Sequence, residues 1–309
     1  MIQRLNCPAC LKPATAIFAR AYSLPPLRDM IAASGLGPKL GGLDYEVRAC
    51  NACELHFQTW VMSDDELESW YSPPRDDESF MSEIGSQKLH WFAHQTEEIL
   101  VLRQVCPTPT PRVLDFGCNW GKWASMALAH GCDVYGVDVN RDASRFCASR
   151  GIKMVTFEEA RSLRFDFINV DQVVEHLSAP LEVTRALGAC LKPGGLMKLS
   201  TPHNPALPAR LRASRPDDQS VLNAKTLDAL FPLMHVNLFT PDALRVLAAG
   251  VGLDEFQQPL LTWLGAGQMW NLPRQFNRNV TVPFKRWRGR GTYLWFQKGD
   301  TTNPSLRPQ

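Results

Sequence analysis

Nowhere in the 309 residues do about 18 apolar residues run together, and no basic start followed by an apolar run opens the chain. Membrane spanning and export are therefore not expected, and the chain reads as cytoplasmic. An excess of one charge is missing too: 33 basic side chains against 31 acidic ones leave a net charge of +2, too little to argue for a nucleic-acid partner from composition. Absent as well is any close G-x-G-x-x-G run, which argues against a pyrophosphate docked on a helix N-terminus and so against a nicotinamide-dependent oxidoreductase. What is present is 45% hydrophobic and 21% charged residues, enough to bury the core of one large domain, or of one domain plus a small module. The charge is spread unevenly. Residues 61 to 99 carry ten acidic side chains against Arg75 and Lys88, while 271 to 309 carry eight basic ones against Asp300 alone.

Nine cysteines in a chain read as cytoplasmic point to reduced thiols or metal ligands rather than disulfides. Four are arranged: Cys7 and Cys10 in "CPAC", Cys50 and Cys53 in "CNAC". Chance supplies about a quarter of one Cys-x-x-Cys pair in such a chain, so two near the N-terminus are a signal. Two thiolates of one tight turn reach a single ion, and two such turns complete a tetrahedral, structural zinc site, although the 39 residues between the pairs exceed the spacing of compact zinc modules. His56 lies in "LHFQTW", which alternates like a strand, and is not expected to be a ligand. Cys106, Cys118, Cys132, Cys147 and Cys190 show no ligand spacing and read as buried thiols.

A zinc-ribbon-like module is expected over residues 1–62, then a connector over 63–85 in which Ser63 caps a short helix with Glu66 three residues on. Residues 88 to 103 carry helical spacing, and "CPTPTP" stops them. From residue 112 strands and helices alternate: "RVLDF", a helix over 120–130, "DVYGVDV", a helix over 141–150, "IKMVTF", "RFDFINVDQ", a helix over 180–191, then "LMKLSTP" after the turn "KPGG". "LDEFQQPLLTW" and "TYLWFQKG" read as the sixth and seventh strands. The predicted fold is a doubly wound, Rossmann-like α/β domain over 86–300 with a mostly parallel seven-stranded sheet, followed by a tail over 301–309.

The ligand of such a sheet sits at the carboxyl ends of the first strands, where strand order reverses. "DFGCNWG", residues 115 to 121, lies there. Gly117 and Gly121 allow positive φ and close approach, and the following helix aims free N–H groups at the ligand. Asp138 ends the next strand, 23 residues after Asp115, where a carboxylate accepts both hydroxyls of an adenosine ribose. An acid ahead of the first glycine suits a positive amino group better than phosphates, and S-adenosylmethionine is the expected ligand.

These residues resemble the class I S-adenosylmethionine-dependent methyltransferases. Asp115, Gly117 and Gly121 match the first motif, with Asn119 where many members have glycine; Asp138 in "GVDVN" matches the acidic ribose ligand. "FDFINVDQVVEHLSAP" looks like the fourth-strand motif with its Glu-His pair, "LKPGGLMKLSTP" like the turn and fifth strand, and "HVNLFTPDALRVLAAGVGLD" extends the likeness to about 254. The N-terminal "YEVRACNACELHFQTWVMSDDELESWY" resembles the cysteine-knuckle leader of members that modify sugars and small metabolites. The resemblance implies a cofactor site at Asp115, Gly117, Cys118, Asn119, Gly121, Asp138, Val139, Asp171 and Gln172. His176 is the candidate general base, with Glu175 orienting it or binding substrate; the alternative is that both only cap the following helix. His203 and Asn204, at the end of the fifth strand, are candidate pocket residues, and His235 and Asn237 precede Thr240, an N-cap with Pro241 at the first helical position.

The segments 203–235 and 264–290 fall outside the cofactor core and read as coverings for the acceptor. They hold Arg210, Arg212, Arg215, Arg274, Arg278, Lys285, Arg286, Arg288 and Arg290, whose forks suit phosphate or carboxylate. A small anionic metabolite is the expected substrate, a nucleotide-linked sugar or polysaccharide precursor foremost, with a plain solvated basic face as the alternative. A second class, an RNA-binding protein with a zinc ribbon, draws on the basic and aromatic tail "PRQFNRNVTVPFKRWRGRG". The small net charge, and a ribbon poor in Lys and Arg, argue against it.

Overall fold

A computed structural model of the chain describes residues 1–32, 37–63, 66–67, 89–106, 108–214, 222–258 and 292–299. Most of the expected connector, the boundary near residue 85, the segment 264–290 and the tail 301–309 lie outside the described residues. In chain order the strands are β1 (Ile2–Gln3), β2 (Ala14–Ala21), β3 (Asp44–Cys50), β4 (His56–Gln58), β5 (Trp60–Val61), β6 (Arg112–Phe116) and β7 (Asp133–Val137). They continue as β8 (Lys153–Met154), β9 (Phe165–Asp171), β10 (Leu191–Ser200), β11 (Asn237–Leu238), β12 (Leu253–Glu255) and β13 (Tyr293–Lys298). The chain forms two compact units. The first joins Met1–Trp70 with Gln172–Arg185 and Ser200–Val251, and the second joins Tyr71–Asp171 with Ala186–Leu199 and Gly252–Gln309.

The second unit holds the seven-stranded sheet, in the order β12-β13-β10-β9-β6-β7-β8. β6 runs parallel to both β7 and β9, β7 runs parallel to β8, and β12 pairs antiparallel with β13. This is the doubly wound, mostly parallel sheet that the alternation predicts. Its central strands are covered on both faces, so that Val113, Leu114, Phe167, Ile168 and Val170 are all buried, together with a few polar side chains such as Asp115 and Asn169. Strand order reverses between β6 and β9, so the carboxyl ends of these two strands mark the switch point of the sheet.

Three expected elements differ, the sixth strand among them, since of "LDEFQQPLLTW" only Leu253–Glu255 is strand among the described residues. "IKMVTF" predicts a third strand over six residues, but only Lys153–Met154 pair. Thr156 instead caps the helix Phe157–Arg161, its side chain accepting the Glu159 N–H while Glu159 accepts the Thr156 N–H, and that reciprocal cap outweighs the β-propensity of the run. "KPGG", expected as a turn, lies inside β10. Gly195 fits there because a Cβ would come within 3.1 Å of the Phe165 carbonyl oxygen and 2.9 Å of that of Lys192.

In the first unit, β11-β4-β3-β2 form a four-stranded sheet whose neighbours all run antiparallel, and β1 pairs with β5. Tyr45, Val47 and Ala49 alternate into its core with Phe18, Tyr22, Leu207, Leu230 and Leu238. Between the two cysteine pairs lies a short 3-10 turn, Gly37–Leu40. Ser63 and Glu66 exchange the predicted capping bonds, Ser63 N–H to Glu66 Oε2 at 3.0 Å and Glu66 N–H to Ser63 Oγ at 3.4 Å.

Among the described residues, no helix is long and apolar enough to cross a membrane.

Candidate active site

The loop after β6 is built on left-handed backbone. Gly117, Asn119 and Gly121 have φ of 74°, 48° and 69°. Asparagine visits this region more readily than other side chains, which accounts for Asn119 where the resembling enzymes have glycine. The loop is tied to β7 at two levels: Gly117 N–H and Cys118 N–H both donate to the Val137 carbonyl, at 2.8 and 3.1 Å. Asp138 then clamps both sides, its Oδ2 accepting the Asn119 N–H at 2.6 Å and its Oδ1 the Asn140 N–H at 2.8 Å. Burial raises the Asp138 carboxyl above its ordinary value despite these bonds. Val139, the next residue, exposes an apolar side chain.

Gly121 is glycine for a reason other than ligand approach. A Cβ there would stand 2.7 Å from Cys147 Sγ and 2.9 Å from Ile152 Cδ1, so the space is taken by the chain's own side chains. Trp120 and Trp123 are buried, Trp123 stacking on Phe167 at 5.8 Å, and serve the core rather than a ligand.

Asp115, 3% exposed, accepts the Asn169 side-chain amide at 2.7 Å. Burial is the main reason that its carboxyl is raised to about 7; the Asp171 charge adds to this, and the Asn169 bond and Lys198 oppose it. An ammonium group beside it would favour the carboxylate. Lys198 on β10, fully buried, binds Glu98 of the helix Leu89–Val105 at 2.9 Å and reaches Asp171 at 3.5 Å. Glu98 and Lys198 were not legible as site residues, since a Lys in an apolar strand carries no motif of its own. Gln172, expected beside Asp171, has φ of 56°, and its N–H donates to the Ser200 carbonyl at 2.9 Å. A non-glycine residue held in that region stores strain of the kind found at functional turns.

Glu175 and His176 belong to the first unit. The Glu175 carbonyl accepts the N–H groups of Val236 and Asn237, at 2.8 and 3.0 Å, and His176 Nδ1 lies 2.8 Å from the Met234 carbonyl oxygen. Burial lowers the His176 pKa to about 4, with His235 contributing, so the ring is neutral at pH 7. The Asn237 side chain donates to the carbonyls of Val174 and Leu177 at 3.0 and 2.8 Å. Behind it stands Arg4, 7% exposed, which donates to Asn237 Oδ1 at 2.9 Å and to the carbonyls of Gln58, Val236 and Ser178. His203 is exposed, and Asn204 is 3.5 Å from the Thr226 carbonyl. Thr240 caps its helix as expected, accepting the Ala243 N–H at 3.0 Å.

The four N-terminal cysteines come together. Cys7 Sγ is 3.5 Å from Cys53 Sγ, and Cys10 Sγ is 3.5 Å from Cys50 Sγ. All four sulfurs lie within 4.8 Å of one another. Zinc–sulfur bonds of about 2.3 Å require tetrahedron edges of about 3.8 Å, so the cluster has the right size. The two turns match: Leu11 and Glu54, each just after the second cysteine, have φ of 62° and 61°. Hydrogen bonding from Cys53 holds the Cys7 thiol down at about 5, and burial pushes Cys10 up to about 11. His56 is buried elsewhere, its Nε2 3.3 Å from the Arg212 guanidinium. Arg210 and Arg212 are exposed, and the other seven basic residues named above for the two covering segments lie outside the described residues.

Comparison with known proteins gives a family match, described as a methyltransferase domain, over residues 86–258. The chain is 28% identical over 148 residues to the ubiquinone biosynthesis O-methyltransferase of Ralstonia nicotianae, covering 44% of this chain and 58% of that one. It is 25% identical over 189 residues to the protein of the same name from Cupriavidus pinatubonensis, covering 57% and 73%. The match thus spans less than two thirds of the Ralstonia protein. Among solved structures, the plantazolicin methyltransferase BpumL in complex with SAH is 15% identical, covers 76% of this chain and 97% of that chain, and has a TM-score of 0.45.

Proposed function

The chain belongs to the methyltransferase-domain family, matched over residues 86–258, and from that premise we propose that it is an S-adenosylmethionine-dependent methyltransferase acting on a small, anionic molecule. The observation that carries this reading is the left-handed loop Gly117–Gly121 at the switch point of the sheet, clamped by the Asp138 carboxylate. The residues fit the cofactor: Asp138 retains lone pairs for ribose hydroxyls, Val139 offers an exposed apolar face, and Asp115 is an acid whose raised pKa a ligand ammonium would bring down. Cys118, Asn119, Asp171 and Gln172 complete the proposed set. When bound, S-adenosylmethionine supplies an electrophilic methyl group. What this chain adds is alignment, a dry setting and, where the acceptor has a proton to lose, the Glu175–His176 pair, with His176 as base.

Zinc at Cys7, Cys10, Cys50 and Cys53 is part of the same reading, as the ion that folds the N-terminal turns and takes no part in the chemistry. Elemental analysis of protein purified without chelator is expected to give bound zinc, of which one equivalent per chain is lost in Cys50→Ser. A metal-free chain with a folded N-terminus would refute it.

The acceptor class rests on Arg210, Arg212 and the arginines outside the described residues, together with the knuckle-bearing resemblance, and a nucleotide-linked sugar or other polysaccharide precursor fits both. A second reading, transfer to an oxygen of a small molecule that the arginines do not select, draws on the name O-methyltransferase of the similar proteins. A screen with labelled cofactor over nucleotide sugars, other phosphorylated metabolites, phenols and RNA separates them. Label is expected in the phosphorylated pool. Label in phenols alone would select the second reading, and label in RNA alone would sink both.

A further inference from the structure

His235 has no task in the function proposed above, yet it is placed with care. Its ring meets that of His176 edge to face, with centroids 4.7 Å apart and planes at 64°. His176 Nδ1 is hydrogen-bonded to the Met234 carbonyl, and His235 Nδ1 to the Asp228 carbonyl. A carbonyl oxygen can only accept, so each Nδ1 carries the hydrogen and each Nε2 presents its lone pair. The Glu175 carboxylate, fully buried, is the third member, its Oε1 3.9 Å from His176 Nε2. One ligand atom from each of the three lies within 4.8 Å of the other two.

We infer that Glu175, His176 and His235 form a binding site for a divalent transition-metal cation, distinct from the four-cysteine cluster. Metal-bound histidines characteristically give their second ring N–H to a carbonyl or carboxylate, which fixes tautomer and ring direction; both rings here do so before any ion arrives. Two imidazoles and one carboxylate cover one side of an octahedral cation and leave positions open for oxygen ligands. The backbone around them is held as well. The Glu175 carbonyl is bonded by two N–H groups, and Asn237 and Arg4 brace the turn from behind. Such bracing keeps a ligand set close to its bound geometry, which lowers the cost of binding.

In its use, though not in its existence, the site rests on the methyltransferase reading. One Nε2 cannot both take a proton and bind a cation. A filled site therefore makes Glu175 and His176 holders of an acceptor oxygen, whose proton passes to water instead of to the ring.

The probe is Mn²⁺ alone, titrated into the full-length chain and followed by loss of the free-ion resonance signal. Manganese prefers nitrogen and oxygen to thiolate, so the four cysteines stay silent. One Mn²⁺ per chain is expected, with the dissociation constant rising about tenfold or more in His235→Ala and in Glu175→Gln. The unaltered chain taking up no Mn²⁺ overturns the site without recourse to any variant, and so does undiminished binding in a folded His235→Ala protein. S-adenosylmethionine titrated into the same samples separates the two readings. Mn²⁺ bound without cofactor leaves the metal site standing and removes the methyltransferase, whereas cofactor bound without Mn²⁺ does the reverse.

Discussion

Replacing Asp138 with alanine is expected to weaken S-adenosylmethionine binding by about 10²- to 10⁴-fold. Two hydrogen bonds from ribose hydroxyls to a charged acceptor are lost, at about 1.5 to 3 kcal/mol each. The same carboxylate also holds the Asn119 N–H at 2.6 Å and the Asn140 N–H at 2.8 Å. Its removal therefore loosens a loop whose left-handed backbone at Asn119 is otherwise unfavourable. Asp138→Asn keeps one acceptor oxygen and should fall between the two. Calorimetric titration reads all three proteins, and unchanged affinity in the alanine variant would remove Asp138 from the cofactor site.

His176→Ala is the second large effect: turnover is expected to fall about 10²- to 10⁴-fold while S-adenosylmethionine affinity is retained. The loss follows whether the ring takes the acceptor's proton or holds a cation, since both use its Nε2. A neutral ring held by the Met234 carbonyl is suited to either task. His176→Gln retains polarity and volume but offers neither a basic nitrogen nor an equivalent ligand, so it should not restore turnover. Survival of turnover in both variants, measured with labelled cofactor, would mean that alignment alone carries the reaction.

The sheet of the second unit was legible because short, mainly apolar strands alternate with helices along the chain, and Val113, Leu114, Ile168 and Val170 mark two of its central strands. The run "IKMVTF" misleads because a local cap, Thr156 with Glu159, decides the backbone there, and β-propensity cannot register it. Asp115 and Asp138 stood out through spacing from the glycines. Arg4 did not: it meets Asn237 across 233 residues of chain, and a buried polar pairing of that separation leaves no periodicity to read. His235 was legible only as the approach to the helix capped by Thr240. Its partner His176 lies far back in the sequence, and the bonds of Val236 and Asn237 to the Glu175 carbonyl, with that of His176 to the Met234 carbonyl, bring them together. The four-cysteine cluster was the reverse case. Two Cys-x-x-Cys turns announce themselves, and the matching left-handed residues Leu11 and Glu54 show why the turns close.

The central claim is that the loop Gly117–Gly121, with Asp138, is a seat for S-adenosylmethionine. Equilibrium titration of the purified full-length chain tests it most directly. One molecule bound per chain is predicted, displaced by S-adenosylhomocysteine and untouched by nicotinamide dinucleotides. No binding, or a nicotinamide dinucleotide taking the site instead, would contradict it.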